Sequence, residues 1–165
     1  PTGNFGDIFA GEGLDVSPFN KKTQEKLEAL GLPPGTSIAN PVDTPVRTLQ
    51  EKDGWVAGEI LDIIYDLAKP HAVAMHLNLA SFVGRGDVDP VDNLLTVVER
   101  MQSARPGMAH FGLALRTDGS PELDEARRRY RERARQVNVP VYDEIPELAG
   151  ALSAVSRLER KLSKC

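Results

Sequence analysis

Short apolar runs alternate with helical patterns through most of this sequence. The runs are HAVAMHLNL at residues 71–79, MAHFGLALR at residues 108–116 and VPVYD at residues 139–143. A helix-length segment separates each run from the next, and strands joined in this way pair in parallel through right-handed crossovers, with helices on both faces of the sheet. The alternation therefore predicts an α/β three-layer sandwich built on a parallel sheet.

The helices are marked by apolar residues at helical spacing and by end signals. Residues 54–69 predict one helix, which Pro70 ends, and Asp89 and Ser120, each followed by proline, are typical of helix starts. The residues predicted to face inward are Val56, Ile60, Ile63, Ile64 and Leu67 in the first helix, Val91, Leu94, Leu95, Val98 and Met101 in the second, and Ile145, Leu148, Leu152, Val155 and Leu162 in the last.

The first part of the chain is less regular. LDVSPF at residues 14–19 predicts a strand, and residues 21–30 predict a helix that ends at Gly31. PTGNFGDIFAGEG at residues 1–13 predicts the tip of a strand, a glycine turn and a very short helix. Because a doubly wound sheet needs a full first strand here, we expect that part of this strand is missing. Residues 1–165 would then be a single domain of a larger multidomain protein.

Composition narrows the classes of protein that fit. Hydrophobic residues make up 41% of the chain, charged residues 27%, and the net charge is −4. These values are typical of a globular domain and argue against a nucleic-acid or membrane partner. No apolar run has the length of a membrane span, and the single cysteine, Cys165, cannot form an internal disulfide. We therefore expect a cytoplasmic protein.

Two loops are candidates for a functional site, because ligands of open parallel sheets bind beyond the carboxyl ends of the strands. In the first, Gly3, Asn4 and Gly6 form a turn whose backbone amides could approach an anion at a helix start, although an ordinary turn explains the same residues. In the second, Asn40, Pro41 and Asp43 form a rigid polar turn. Asp43 could either face a cleft or only cap local amides.

The stretch GEGLDVSPFNKKTQEKLEALGLPPGTSIANPVDTP resembles the C-terminal flavodoxin-like domain of the NDP-forming acyl-CoA synthetases, which are related to succinyl-CoA synthetase. The similar features are a strand, a helix with polar-x-x-T-x-x-x-L spacing, a Pro-Pro pair and an N-P-hydrophobic-D turn. NVPVYDEIPELAGALSAVSRLER is similar to the closing strand and helix of that domain. The resemblance covers nearly the whole chain and implies a flavodoxin-like fold and a CoA-ligase domain.

The resemblance implies a division of labour between domains. In that family a carboxylic acid is joined to coenzyme A, and a histidine of a neighbouring domain carries the phosphoryl group. Gly3, Asn4 and Gly6 would face that phosphohistidine, and Asn40, Pro41, Asp43 and Asn78 would form the rim of the cleft. The parent enzyme would use CoA and ATP, or another nucleoside triphosphate, with Mg. CoA-binding and ATP-grasp domains or subunits would be its partners. We expect this chain alone to supply no catalytic residue, bind no cofactor and be inactive.

Other interpretations compete with this one. His71, His76 and His110 lie on predicted strands and are expected to be satisfied structural histidines, and no grouping of His and Cys suggests a metal site. The arginine-rich run at residues 126–136 carries an apolar stripe, so we expect its arginines on the solvent face of a helix. A signalling receiver domain fits poorly, because the strand tip that would need an aspartate is Asn78. The main alternative is a non-catalytic CoA-sensing or protein-interaction domain on the same fold.

Overall fold

The computed structural model of the chain describes residues 2–45, 48, 52, 55–85, 87 and 89–164. Six α-helices and three β-strands lie in this described part, with a π-helical turn at Ile64–Ala68 and a 3₁₀ turn at Leu79–Ser81. In chain order they are α1 Thr2–Gly11, α2 Lys21–Glu28, α3 Val56–Ile63, β1 Ala72–Asn78, α4 Pro90–Ala104, β2 His110–Arg116, α5 Pro121–Gln136, β3 Val141–Tyr142 and α6 Ile145–Leu162.

The three strands form one parallel sheet in the order β1-β2-β3. The β1–β2 register runs from Ala72 opposite His110 to Asn78 opposite Arg116, and β3 pairs with β2 through two residues. The predicted strands at residues 71–79, 108–116 and 139–143 and their parallel pairing are therefore confirmed. The prediction came from the alternation of apolar runs with helices, because neighbouring strands that are joined by a crossover helix pair in parallel.

Residues of the sheet alternate between two packed faces. On one face, Val73, Met75 and Leu77 of β1 pack with α3, α4 and α5. On the opposite face, Ala72 and Ala114 pack with α1 and α6. Helices therefore cover both faces, and the predicted three-layer α/β sandwich of flavodoxin-like type is confirmed.

The two faces are packed by side chains of different size. The face towards α6 carries small residues, because α6 approaches the sheet closely at Gly112 of β2. A Cβ atom placed on Gly112 would lie within 3.0 Å of Leu148 Cδ1. Leu148 is fully buried, and burial of a leucine side chain contributes about 1.5–3 kcal/mol to stability. Gly112 thus allows α6 to lie against β2.

Helix starts agree with the capping signals in the sequence. Asp89 Oδ1 accepts hydrogen bonds from the amides of Val91 and Asp92, both at 3.1 Å, and Pro90 occupies the first turn of α4. Ser120 also precedes its helix, but its side chain makes no capping hydrogen bond there. The start of the predicted helix at residue 54 lies outside the described residues.

Three predictions about particular segments were wrong. Residues 14–19 have no regular secondary structure, and no ladder pairs them with a described residue, so they are not a strand of the sheet. Residues 2–11 form one continuous helix instead of a strand tip, a turn and a short helix. Val155 and Leu162 of α6 were predicted to face inward, yet 36% and 65% of their surfaces are exposed. The described residues leave both side chains partly open to solvent.

Candidate functional site

The carboxyl ends of the strands meet at one edge of the sheet, because all three strands are parallel. Asn78 ends β1, Arg116 ends β2, and Tyr142 ends β3, so the loops that follow them share this edge. Ligands of open α/β sheets bind at such an edge. This edge, which we call the carboxyl edge, is therefore the candidate site.

A network of ion pairs fixes the carboxyl edge between β2 and β3. Arg127 of α5 lies 3.2 Å from Asp124 Oδ1 and 3.5 Å from Asp143 Oδ1, and Arg131 also pairs with Asp143. Thr117, just after β2, donates a 2.7 Å hydrogen bond to Asp124. These contacts hold the loop after β2, the start of α5 and the loop after β3 together. Their arginine charges are already neutralised by protein carboxylates.

Most other arginines of α5 are distributed as the apolar stripe predicts, but Arg133 is half-buried against α4, with its Nε 3.3 Å from Asp92 Oδ1. Leu123, Ala126, Tyr130 and Ala134 are buried, and the helix turns Arg128 to solvent beside Glu125, at 2.9 Å. The prediction of a buried stripe and a solvent-facing charged side is confirmed.

His76 is a half-buried imidazole two residues before the end of β1. Its Nε2 atom is buried and has no hydrogen-bond partner among the described residues. Burial lowers the pKa of His76, the nearby Glu144 carboxylate opposes this shift, and the Arg116 guanidinium adds to it. Arg116 Nε in turn lies 3.9 Å from Glu144 Oε1. His76 is therefore a neutral imidazole that lies near a loosely paired arginine and a carboxylate.

Helix α1 starts towards the same carboxyl edge. Ser153 Oγ of α6 donates a 2.7 Å hydrogen bond to the carbonyl of Glu12, just after the end of α1. One turn earlier in α1, Phe9 packs in the cluster of Leu148 and Leu152, which precede Ser153 in α6. Helices α1 and α6 therefore run in the same direction, and α6 begins directly after β3. The first turns of both helices thus lie at the carboxyl edge.

Gly3, Asn4 and Gly6 were predicted to form a loop between a strand and a helix. The structure corrects this prediction, because all three residues lie inside α1. The physical reason is the apolar spacing of Phe5, Ile8 and Phe9, which places one stripe on the α6 side of the sheet. The rings of Phe5 and Phe9 stack with centroids 4.8 Å apart. Their burial outweighs the low helix propensity of glycine, which is about 1 kcal/mol per residue.

Asn40, Pro41 and Asp43 form the tight turn that the sequence predicted, with a cis peptide bond between Asn40 and Pro41. Two backbone hydrogen bonds join Ser37 and Asp43, at 2.8 and 3.1 Å. Asn40 Nδ2 donates a 3.0 Å hydrogen bond to the carbonyl of Ser17. The turn is therefore attached to the segment of residues 14–19, while Asp43 itself is exposed. Whether this turn forms the rim of a cleft stays a prediction.

Asn78 has a local role in the structure. Its Oδ1 accepts a 3.3 Å hydrogen bond from the amide of Ala80 and so caps the short turn after β1. The described hydrogen bonds of Asn78 and Asn40 thus go to Ala80 and Ser17 and not to each other. The topology places Asn78 at the carboxyl edge, whereas the turn of Asn40 and Asp43 is placed by the contact of Asn40 with Ser17.

Two of the three histidines, His71 and His76, differ from the prediction. His71 lies in an exposed bend just before β1 instead of on the strand, and His110 at the start of β2 is exposed. His110 Nε2 lies 2.7 Å from Glu159 Oε1, which gives it the partner that was expected. The unpartnered Nε2 of His76 departs from the expected satisfied histidine.

Sequence reasoning also missed Arg116 and Glu144 as residues of the carboxyl edge. Their positions, at the end of one strand and just after another, were the available signal, because parallel strands bring such positions together.

No three His, Cys, Asp or Glu side chains in the described part of the chain are grouped as a metal site requires. Within the same residues, no helix has the length and apolarity to cross a bilayer. Two cavities of about 200 and 250 Å³ lie at the opposite, amino edge of the sheet. Met108 and Ala109 line both of them. They are smaller than the pockets of about 300–1,000 Å³ that hold cofactor-sized ligands.

Comparisons with known proteins support the fold alone. No protein-family model matches the chain, and no curated protein matches its sequence. Among solved structures, the chain is similar to the crystal structure of PH0766 from Pyrococcus horikoshii OT3, with a TM-score of 0.66 and 17% identity. The similarity covers 93% of this chain and 32% of PH0766. The chain therefore spans about a third of the protein whose fold it shares.

Proposed function

We propose that this chain is a flavodoxin-like CoA-ligase domain of an NDP-forming acyl-CoA synthetase related to succinyl-CoA synthetase. A sequence resemblance and a comparison of folds support the proposal. The sequence resembles that domain over nearly its whole length, including the Asn40-Pro41-Val42-Asp43 turn. The fold corresponds to 32% of a longer chain, as expected for one domain of a multidomain protein. The parent enzyme would be cytoplasmic and would join a carboxylic acid to CoA with nucleoside triphosphate and Mg.

The proposal depends most on the direction of α1, which we infer from its packing along α6 and which puts its start at the carboxyl edge. The first amides of a helix have no partner within the helix and carry a partial positive charge of about half a unit. Gly3, which has no Cβ atom, lies in this first turn. A phosphohistidine presented by a neighbouring domain would thus meet main-chain donors. A charge placed there is typically stabilised by about 0.3–1 kcal/mol, and by up to about 2 kcal/mol where it is partly buried.

This chain would position a phosphoryl group but would not carry it. His76 has its Nε2 buried and His71 and His110 lie at the amino edge, so none is presented to a partner at the carboxyl edge. CoA and nucleotide would be bound by CoA-binding and ATP-grasp domains or subunits.

The first test uses the purified chain. It should form no acyl-CoA from a carboxylic acid, CoA and ATP, and should take up no label from γ-labelled ATP. Adding the CoA-binding and ATP-grasp parts of the parent enzyme should restore both reactions. Stable labelling of a histidine of this chain alone would show that the proposed division of labour is wrong.

The second test uses Asp43→Ala in the full-length parent enzyme, with Glu125→Ala as the control on the exposed face of α5. If Asn40, Pro41 and Asp43 form the rim of the cleft, Asp43→Ala should lower turnover while the melting temperature stays the same. Glu125→Ala should change neither quantity. A lower melting temperature with normal turnover in the surviving protein would reduce Asp43 to a residue of the turn.

One observation favours the alternative of a protein-interaction domain. Val155, Leu158 and Leu162 form an apolar stripe on α6, and 36%, 56% and 65% of their surfaces are exposed. An exposed apolar stripe of this kind is typical of a surface that binds another protein or domain. A full-length protein that binds CoA or a partner domain but never forms acyl-CoA would support this alternative over the enzyme.

A further inference from the structure

Three ionisable side chains at the carboxyl edge are incompletely partnered among the described residues. Arg116 and Glu144 pair only loosely, with Arg116 Nε 3.9 Å from Glu144 Oε1, and 59% and 55% of their side chains are exposed. Glu144 precedes α6, yet its side chain makes no capping hydrogen bond there. His76 has a buried Nε2 atom without a hydrogen-bond partner. We call these three residues the edge cluster.

The register of the sheet places the edge cluster on one face. His76 of β1 and Tyr142 of β3 both lie opposite Ala114 of β2. Ala114 and Tyr142 pack in the layer of α1 and α6. Residues two apart on a strand share a face, so Arg116 projects into the same layer as Ala114, and so does His76. Glu144 follows Tyr142 by two residues, as Arg116 follows Ala114, and the two side chains pair.

The edge cluster is compact enough for its charges to act on the imidazole. Neighbouring strands lie about 4.8 Å apart and two residues span about 6.6 Å, so the Cα atoms of His76 and Arg116 are about 8 Å apart. An arginine side chain can reach across this distance. Burial lowers the pKa of His76 most, the Glu144 carboxylate opposes this shift, and the Arg116 guanidinium adds to it. The charge of His76 therefore depends on which of these two groups lies nearer.

Other charged groups near the edge cluster are engaged elsewhere. Asp143, in the loop after β3, pairs with Arg127 and Arg131. Glu147 of α6 accepts a 3.2 Å hydrogen bond from the amide of Asp143. Asp7, the charged residue of α1, is exposed. Arg116 and Glu144 are thus the charges of this edge that can change partners without breaking the network that holds the loops.

We propose that an oxyanion of the phosphoryl class binds Arg116, releases the Glu144 carboxylate towards His76, and so causes His76 to take up a proton. A dianionic oxyanion is a stronger partner for a guanidinium than a carboxylate 3.9 Å away, because it can accept two parallel N–H bonds. Neutralising Arg116 and bringing Glu144 closer both favour the imidazolium form of His76. The proton comes from solvent. The phosphoryl identity of the anion rests on the proposed function, whereas the coupling between anion and proton does not.

The test titrates the His76 ring by NMR in the purified chain, in sodium sulfate or in sodium chloride of equal ionic strength. Sulfate is the probe because it keeps two negative charges from about pH 5 to 8, where histidine titrates. Sulfate should shift the Arg116 Nε–H signal and raise the proton affinity of His76 roughly threefold or more, and its own affinity should rise equally towards low pH by linkage. The ring signals of His71, at the amino edge, report any effect of ionic strength alone.

Three variants separate anion binding from proton uptake. Arg116→Gln should abolish the response of His76 to sulfate. Glu144→Gln should keep the shift of the Arg116 Nε–H signal and lose the response of His76. Arg128→Gln, on the solvent side of α5, is the matched control and should respond as the original chain does. All three replaced side chains are more than half exposed, so the variants should fold.

Three results would overturn the proposal. An Arg116 signal that ignores sulfate would show that the edge cluster binds no oxyanion. A His76 titration that is unchanged while sulfate is bound would show that no proton is coupled to binding. An equal response of His76 in Glu144→Gln would show that the anion acts by its own field and not through Glu144.

The assembled parent enzyme identifies the source of the oxyanion. If a phosphohistidine supplies it, ATP should raise the proton affinity of His76 without any added oxyanion, whereas a rise only with added inorganic phosphate would assign the edge cluster to free phosphate. The two proposals also fail separately. A parent protein that never forms acyl-CoA would reject the proposed function, while the sulfate titration of the purified chain would still decide the coupling.

Discussion

Gly112→Ala tests how closely α6 packs on the sheet. The added Cβ atom would lie within 3.0 Å of Leu148 Cδ1 and 3.7 Å from its Cγ. Leu148 is fully buried, so its displacement must disturb the neighbouring side chains of the α1 and α6 cluster. Overpacking of this kind costs about 1–3 kcal/mol. Replacing glycine also restricts the unfolded chain, which offsets about 0.4–1 kcal/mol of that loss.

The expected net loss in the free energy of unfolding is therefore about 1–2 kcal/mol, measured by urea denaturation. The melting temperature should fall by roughly 2–8 °C for a chain of this size. Gly150→Ala is the matched control, because no atom lies within 4 Å of the Cβ it would add inside α6. That substitution should instead stabilise the chain by about 0.5–1 kcal/mol through helix propensity.

A double-mutant cycle separates overpacking from other causes. Leu148→Val removes the atoms that the new Cβ would meet and should cost about 1 kcal/mol by itself. The double variant should lose about 1 kcal/mol less than the sum of the two single losses, because the overlap no longer exists. Unchanged stability of Gly112→Ala, or strict additivity in the cycle, would refute the reasoning.

Three further predictions concern contacts between elements. Asp89→Ala should lower the free energy of unfolding in urea by about 1–2 kcal/mol, because Asp89 caps α4 and also accepts a 3.0 Å hydrogen bond from Tyr130. Tyr130→Phe removes only that hydrogen bond and should lower it by about 1 kcal/mol. A larger loss for Tyr130→Phe than for Asp89→Ala would contradict this assignment. Arg105→Gln removes a 2.8 Å ion pair with Asp62 and should lower the free energy of unfolding by about 1 kcal/mol or less. This loss should be smaller in about 1 M salt, because salt screens the ion pair. A loss that does not depend on salt would indicate lost packing instead. Burial holds the pKa of His76 below its ordinary value near 6.5, so on acidification the unfolded chain binds a proton that the folded chain does not. The free energy of unfolding should therefore fall as the pH drops from about 7 to 5. Urea titrations at each pH should show a shallower fall for His76→Gln, and an unchanged slope would count against the lowered pKa.

The strands and helices of the second half were predictable because their signals are local. Apolar runs, helical spacing and proline or aspartate at helix starts each act within a few residues. Residues 14–19 show where this reasoning stops, since a strand also needs a partner and none of the described residues supplies one. The spacing of Phe5, Ile8 and Phe9 indicates a helix, but the nearby glycines also favour a turn.

Exposure and site geometry depend on residues far apart in the chain. Val155 and Leu162 continue the apolar spacing of α6, but this spacing does not show whether another element covers that face of the helix. The pairing of Arg131 with Asp143 joins a helix to the loop after the next strand, so residue spacing alone cannot show it. The carboxyl edge was predictable from topology, whereas the charges that meet there were not.

The distribution of charge at the carboxyl edge limits how an anion could be recognised there. Arg127 and Arg131 are committed to Asp143 and neighbouring carboxylates, and breaking these pairs would release the loops that they hold. Arg116 is more available, because its Nε lies 3.9 Å from Glu144 and 59% of its side chain is exposed. Of these three arginines, a phosphoryl group at this edge would therefore meet Arg116, and in the proposed function the first amides of α1 would be its main-chain donors. Main-chain donors at a helix start need no side chain of a particular type, so a glycine such as Gly3 is compatible with this role.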